Sequence, residues 1–338
     1  MTFDSIIGQQ DVKRRLGSAL KGVPGHAYVF IGPSGSGKTT LARSFAQALL
    51  CQRATAKGAC GQCTSCRHFG NQVHPDFISL ELAPKEKTIK VETVRSKVSA
   101  DIAMHPQFGS RKVYLIDADN INEQGQNALL KSLEEPPAYV HYLLTVAGYE
   151  RLLPTVRSRV VPVVMQRLSV DEIRQVLTEK EIPHSELTAF YARFSGGLPG
   201  VAVNLAGSEW FSSLRQETIR LYKSFSSQSR AWLLTEGFQF FEKNRDQADI
   251  VLEILGSLIR DQLMLVIEEQ NLRLTNEDQR DMLMNQPIIN METAKAKERL
   301  NRAHKALLQA HRGLDANASF EGLACQILLA LRKELTHA

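Results

Sequence analysis

Residues 27–39 read Ala27-Tyr-Val-Phe-Ile-Gly32-Pro-Ser-Gly-Ser-Gly-Lys38-Thr39, an apolar run that ends in G-x-x-x-x-G-K-T. A buried strand before the loop and the helical Thr40-Leu-Ala-Arg-Ser-Phe-Ala after it give the setting that a phosphate-binding loop requires. Gly32, Gly35 and Gly37 let the backbone turn so that its N–H groups converge on a phosphate. The helix N-terminus adds free N–H groups and partial positive charge. Pro33, Ser34, Ser36 and Thr40 complete the cradle. Lys38 is placed to reach the β- and γ-phosphates, and Thr39 to set a hydroxyl on Mg²⁺. A Gly/Ser-rich turn that matched by accident would have no reason to carry strand and helix on its two sides. The implied ligand is ATP with Mg²⁺.

Around this loop lie 338 residues, 43% apolar and 23% charged, an ordinary composition for a folded protein of two or three domains. The N-terminal Met-Thr-Phe-Asp-Ser-Ile-Ile-Gly has no basic segment before an apolar one, so no secretory signal is expected. No apolar run approaches the roughly 18 residues of a membrane span. A cytoplasmic protein without membrane contact is the expectation. The net charge of +5 permits contact with a phosphate backbone without arguing for it.

Through residue 165 apolar strands alternate with helical stretches. The strands are expected at Ala27–Ile31, Phe77–Leu82, Lys112–Ile116, Tyr142–Val146 and Val160–Met165. Helical patterns cover Val12–Leu20, Thr39–Leu50, Val91–Ala103 and Gln124–Glu134. Such βα alternation implies a parallel sheet covered by helices. After Met165 only helices are expected. Leu168–Lys180 is broken by Pro183, Ser185–Phe194 follows, and Ser195-Gly-Gly-Leu-Pro-Gly turns into Val201–Ala206. Long amphipathic helices then include Ile250–Glu269, Thr293–His311 and Phe320–Glu334, which must bury their faces against each other as a bundle. The expected domains are 1–167, α/β; 168–208, a small helical lid; and 209–338, all-α.

Val113-Tyr-Leu-Ile-Asp117 is an apolar strand ending in a carboxylate, and coupled to the loop it reads as the group that helps hold Mg²⁺. Residue 118, where many such ATPases carry a Glu that polarises the attacking water, is Ala118. Asp119 should point the other way on an extended segment, as a solvated strand-end residue.

Cys51, Cys60, Cys63 and Cys66 fall in the pattern C-x₈-C-x₂-C-x₂-C on a Gly-, Ser- and Thr-containing stretch. Four thiolates at this spacing can close a tetrahedral structural zinc site. Disulfides are disfavoured in a cytosolic chain, and nothing else suggests the redox chemistry of an iron–sulfur cluster. Cys325, alone in an apolar helix, reads as a core thiol.

These residues together resemble the clamp-loader subunits of bacterial DNA polymerase III, members of the AAA+ ATPases, over essentially the whole chain. Further matches are Ile6-Ile-Gly-Gln9, His74-Pro-Asp-Phe, Asn127-Ala-Leu-Leu-Lys-Ser-Leu-Glu-Glu-Pro-Pro137, Thr155-Val-Arg-Ser-Arg159 and Asn317…Phe320-Glu-Gly-Leu. The resemblance implies an AAA+ nucleotide-binding domain with a zinc module at 51–66, a lid, and a C-terminal oligomerising collar. It places Ile6–Gln9 near the adenine pocket and Thr145 at the γ-phosphate-sensing position, although a β-branched core residue explains Thr145 almost as well. It makes Arg159 an arginine finger aimed at a neighbour's ATP, where the residue alone would read as a surface arginine. Motor-type gamma/tau subunits carry Asp-Glu where this chain has Asp117-Ala118. They also carry a lid arginine near the position of Pro199. The expected Ser-Arg-Cys is Ser158-Arg159-Val160.

The resemblance therefore implies a stator-type subunit with weak or absent ATPase of its own. It would sit in a heteropentamer with gamma/tau and delta, helping to load the sliding clamp onto primed DNA. The rivals are a motor-type ATPase subunit and a free-standing AAA+ ATPase of recombination or repair.

Overall fold

A computed structural model of the chain describes residues 2–82, 86–182, 186–267, 273–316 and 318–336. Pro183, Ser185, Glu269 and Asn317, used in the sequence reading, lie outside the described residues. The chain divides into two compact units, Met1–Val176 with Gly197–Val201, and Leu177–Gly196 with Ala202–Ala338. The residues expected as a lid are shared between them.

The first unit is built on five parallel strands, β1 (Ala27–Ile31), β2 (Phe77–Leu80), β3 (Lys112–Asp117), β4 (Val140–Val146) and β5 (Val161–Val164), in the order β2-β3-β4-β1-β5. Every residue of β4 is buried, and all of β3 except Asp117, as continuous apolar runs must be in a sheet covered on both faces. The helices are α1 (Gln10–Lys21), α2 (Lys38–Leu50), α3 (Thr64–Gly70), α4 (Val91–Val94), α5 (Glu123–Glu134), α6 (Pro154–Arg157), α7 (Val170–Glu179) and the start of α9 (Pro199–Ala206).

Side chains alternate between the two faces along each strand. Tyr28, Phe30, Leu115 and Leu143 join Leu41, Phe45 and Leu49 of α2 in one core. Val29, Tyr114, Ile116 and Leu144 join Leu129 and Leu133 of α5 in the other. The expected strands all form. The stretch expected as one helix, Val91–Ala103, departs from it: α4 widens into π-type turns over Arg95–Ala100 and tightens into a 3₁₀ turn over Asp101–Ala103. The path still buries Val94 and Val98 in the second core.

The second unit is helical, with no strand among its described residues. It contains α8 (Glu186–Phe194), most of α9 (Pro199–Ala206), α10 (Glu209–Ser227), α11 (Arg230–Trp232), α12 (Phe238–Lys243), α13 (Ala248–Ile267), α14 (Arg280–Met284), α15 (Thr293–Asp315) and α16 (Phe320–Leu335). Apolar faces of α10, α13, α15 and α16 bury Phe225, Leu255, Leu300 and Leu328 completely. Arg215 of α10 lies with its guanidinium 3.9 Å from the Phe190 ring centroid of α8. The same guanidinium makes a two-pronged pair with Asp278 at 2.8 and 2.9 Å. Cys325 is half-buried on α16. Among the described residues no helix is long and apolar enough to cross a membrane.

Candidate functional site

Three strand ends converge beside the phosphate loop. Asp117 stands opposite Thr145 in the β3–β4 register, and Thr145 stands opposite Phe30 of β1. Gly32 leaves β1 with its N–H donated to the Val146 carbonyl at 3.0 Å. The loop, Asp117 and Thr145 therefore meet at the carboxyl edge of the sheet, where parallel α/β folds bind ligands. Gly35 and Gly37 sit at φ +78° and +86°, a left-handed region costly for other residues, which explains two of the three loop glycines. Gly32 is explained by contact, since a Cβ there would lie 2.8 Å from Ser36 Oγ.

The Ser36 hydroxyl is buried and without a hydrogen-bond partner among the described residues. A buried orphan hydroxyl inside a phosphate cradle fits a nucleotide. Lys38 opens α2 directly after Gly37, which leaves the first-turn N–H groups of the helix, including those of Thr39 and Thr40, without intrahelical partners. Asp117 accepts a hydrogen bond from the Asn120 amide at 2.7 Å. Thr145 is buried, 3% exposed.

Asp119 departs from the expectation. The segment after β3 is not extended: Ala118–Asn120 forms a 3₁₀ turn. That turn brings the Asp119 carboxylate back over the loop, with Oδ2 3.9 Å from Lys38 Nζ. Its Oδ1 accepts from the Ala147 N–H at 3.0 Å and from Arg151 Nη1 at 3.2 Å. The side chain is 17% exposed, so it is no solvated strand-end group.

The turn before α9 also reaches the loop. The Gly200 N–H donates to the Gly35 carbonyl at 2.8 Å, and a Cβ on Gly35 would lie 2.9 Å from a Val201 methyl. Pro199, at the position read as lacking the lid arginine, stands 3.9 Å from where a Gly37 Cβ would be. Ile6–Gln9 is tied to the chain beyond β5: the Gln9 amide bonds Gln166 O at 2.6 Å and Gln166 N at 3.0 Å.

Arg159 lies elsewhere. Its guanidinium donates to Glu134 Oε1 at 2.7 Å, and to Thr155 O and Ser158 Oγ at 2.8 Å each. The parallel register pairs Tyr28 with Val161, the first residue of β5, so β5 begins four residues below Gly32 and Arg159 lies in the turn before it. At about 3.3 Å per residue that span is about 13 Å along the strands, and Arg159 stands at its far end, beyond the reach of an arginine side chain from the loop. Arg159 cannot serve this chain's own loop.

The four cysteines come together as read, on the connection from α2 through α3. Their sulfurs all lie within 4.8 Å of one another, with Cys51–Cys63 at 3.9 Å and Cys60–Cys66 at 4.0 Å. These are not disulfide distances. They are near the roughly 3.8 Å edge of a tetrahedron with metal–sulfur bonds of about 2.3 Å. Backbone N–H groups of Arg53 and Cys60 point at the Cys51 sulfur, that of Cys63 at Cys60, and that of Cys66 at Cys63. Such donors favour thiolates, and the N–H groups of Gln62 and Cys63 hold the Cys60 thiol down at about 6. Burial pushes Cys66 up. The donor set fits a closed zinc site.

His74, quoted as a match without a role, fastens this module, and Asp76 beside it holds the segment leading to β3. His74 Nε2 bonds Ser65 Oγ at 2.9 Å, and the fully buried Asp76 carboxylate accepts from the N–H groups of Gln107 and Phe108 at 2.7 and 2.8 Å. Only a His-Pro-Asp sequence leading into a strand signalled them.

Residues 8–169 match a family described as DNA polymerase III, delta subunit. The chain is 41% identical over 187 residues to the DNA polymerase III subunit delta' of Pseudomonas aeruginosa, covering 54% of this chain and 56% of that one. It is 36% identical over 189 residues to the subunit tau of Salmonella typhimurium, covering 54% and 29%. To the Escherichia coli subunit delta' it is 30% identical over 258 residues, covering 75% and 74%. The matches thus span little more than half of the first relative and under a third of the second.

Proposed function

The chain belongs to the delta-prime family of DNA polymerase III clamp-loader subunits, and from that premise we propose that it acts as a stator within a cytoplasmic heteropentamer. Its neighbours there would be gamma/tau and delta subunits, and the assembly would load a sliding clamp onto primed DNA. Arg159 would reach across to the ATP of an adjacent subunit and stabilise charge developing on the γ-phosphate. The observation that carries this reading is the position of Arg159 at the opposite end of β5 from the loop, where no group of its own nucleotide site is within reach.

Gly32–Thr39 would hold ATP·Mg²⁺ or its diphosphate, with Asp117 toward the metal. Turnover on this chain would be slow, since Ala118 offers nothing to orient water and Pro199 offers no cation. Cys51, Cys60, Cys63 and Cys66 would hold a structural zinc with no open position. Steady-state ATPase of the isolated chain beside its Lys38→Ala variant tests the stator assignment. Rates near background in both are expected. A robust rate that Lys38→Ala abolishes would establish a motor subunit instead.

A further inference from the structure

We propose that Asp119 is a fixed counter-charge at the phosphate loop that biases this site toward nucleoside diphosphate and against triphosphate. The inference rests on the nucleotide reading of Gly32–Thr39. Asp119 is held from three directions: Lys38 at 3.9 Å, the Ala147 N–H at 3.0 Å and Arg151 at 3.2 Å. The last two bonds hold the carboxylate at the ends of β3 and β4, beside Asp117 and Thr145.

With nucleotide bound, Lys38 would serve the β- and γ-phosphates, and Asp117 would help hold a Mg²⁺ that offsets charge on the same two groups. The strand-end side of the loop is therefore the γ side. A diphosphate keeps the loop N–H groups and Lys38 for its β-phosphate, and ends short of Asp119. A triphosphate carries its extra charge toward a carboxylate that already claims the same ammonium. The repulsion rises steeply as separation falls, so it bears on the γ-phosphate more than on the β. Arg151 offsets only part of it, because that guanidinium is 58% exposed and screened by water and salt. An intact loop in a subunit that does not turn over then has a use, as a site that retains product-like nucleotide.

The test is titration calorimetry of the purified full chain with ADP·Mg²⁺ and with a non-hydrolysable ATP analogue plus Mg²⁺. Wild type, Asp119→Asn and Arg151→Ala are compared, and thermal unfolding without nucleotide confirms that each variant is folded. Asparagine keeps the acceptor for the Ala147 N–H and removes the charge. Wild type should prefer ADP, and Asp119→Asn should shift the ratio of the two dissociation constants toward the triphosphate by about threefold or more. Arg151→Ala, which unshields the carboxylate, should shift it the other way, and this keeps the test intact if Asp119→Asn does not fold. An unchanged ratio, a selective loss of triphosphate affinity in Asp119→Asn, or no nucleotide binding by any of the proteins would overturn the proposal. None of these outcomes touches the stator reading, which is tested by ATP turnover of the isolated chain and, at Arg159, of the assembled complex.

Discussion

Arg159 projects from the segment entering β5, and Glu134 at the end of α5 holds one side of its guanidinium. Both side chains are partly exposed, 33% and 49%, so the pair contributes under about 1 kcal/mol to stability. Its value would be orientation. In an assembled complex, Glu134→Ala should lower maximal ATP turnover with little change in the nucleotide KM or in thermal unfolding, and Glu134→Gln should restore part of the loss by keeping the acceptor. Equal rates in all three proteins would leave Glu134 no positioning part. His141 supports a pH prediction. Burial holds its pKa below the ordinary 6.5, partly offset by its bond to the Gly25 carbonyl. The unfolded chain therefore takes a proton that the folded chain refuses. Stability should be complete above pH 6.5 and fall as the pH drops from there through the lower folded value. Urea midpoints at pH 7.5 and 5.5 should differ, and His141→Gln should narrow the gap. At this scale the sequence was legible where a residue type decides the chemistry, as in the loop and the four cysteines. It was not legible for Asp119 or Glu134. The direction of Asp119 follows from a 3₁₀ turn that no local composition signalled, and Glu134 meets Arg159 only because distant elements are packed together.

The parallel strands were legible because each is an apolar run between turn signals, and their observed ends differ from the expected ones by two residues or fewer. The boundary of the lid was less so, since hydrophobic periodicity reports that a helix has an apolar face and not what covers it. α8 shows this: Phe190 stacks on Phe211 of α10 at a ring-centroid distance of 6.2 Å, and Phe194 packs tilted against it at 5.8 Å. The cysteine module supports the clearest prediction for an element. Protein purified without added zinc should carry about one zinc per chain, and binding should weaken on acidification because the ligands must shed protons. Cys66→Ala should lose the metal and loosen α3, read as faster hydrogen exchange across residues 51–70. Less than half an equivalent of zinc in the wild-type protein, or an iron–sulfur absorption spectrum, would remove the zinc assignment.

For the molecule as a whole, the division into two units decides which fragment stands alone. A fragment of residues 177–338 keeps Phe190 over Arg215 and the stack on Phe211, whereas one beginning at residue 210 uncovers both. The longer fragment should unfold cooperatively, and the shorter should be less stable by a few kcal/mol, as expected for loss of large aromatic packing partners. If the helical unit is the collar, the longer fragment should also join the other clamp-loader subunits, while a fragment ending near residue 208 should join them poorly. As a stator, this chain would contribute to hydrolysis on its neighbour. That contribution is tested most directly by reconstituting the complex with wild-type or Arg159→Ala chain and measuring steady-state ATPase at saturating ATP, primed DNA and clamp. A finger acts on charge that develops in the transition state, and Arg159 would face one site of several. Intact assembly with a partial loss of turnover that Arg159→Lys does not restore is therefore expected. Equal turnover with wild-type and Arg159→Ala chain would contradict it.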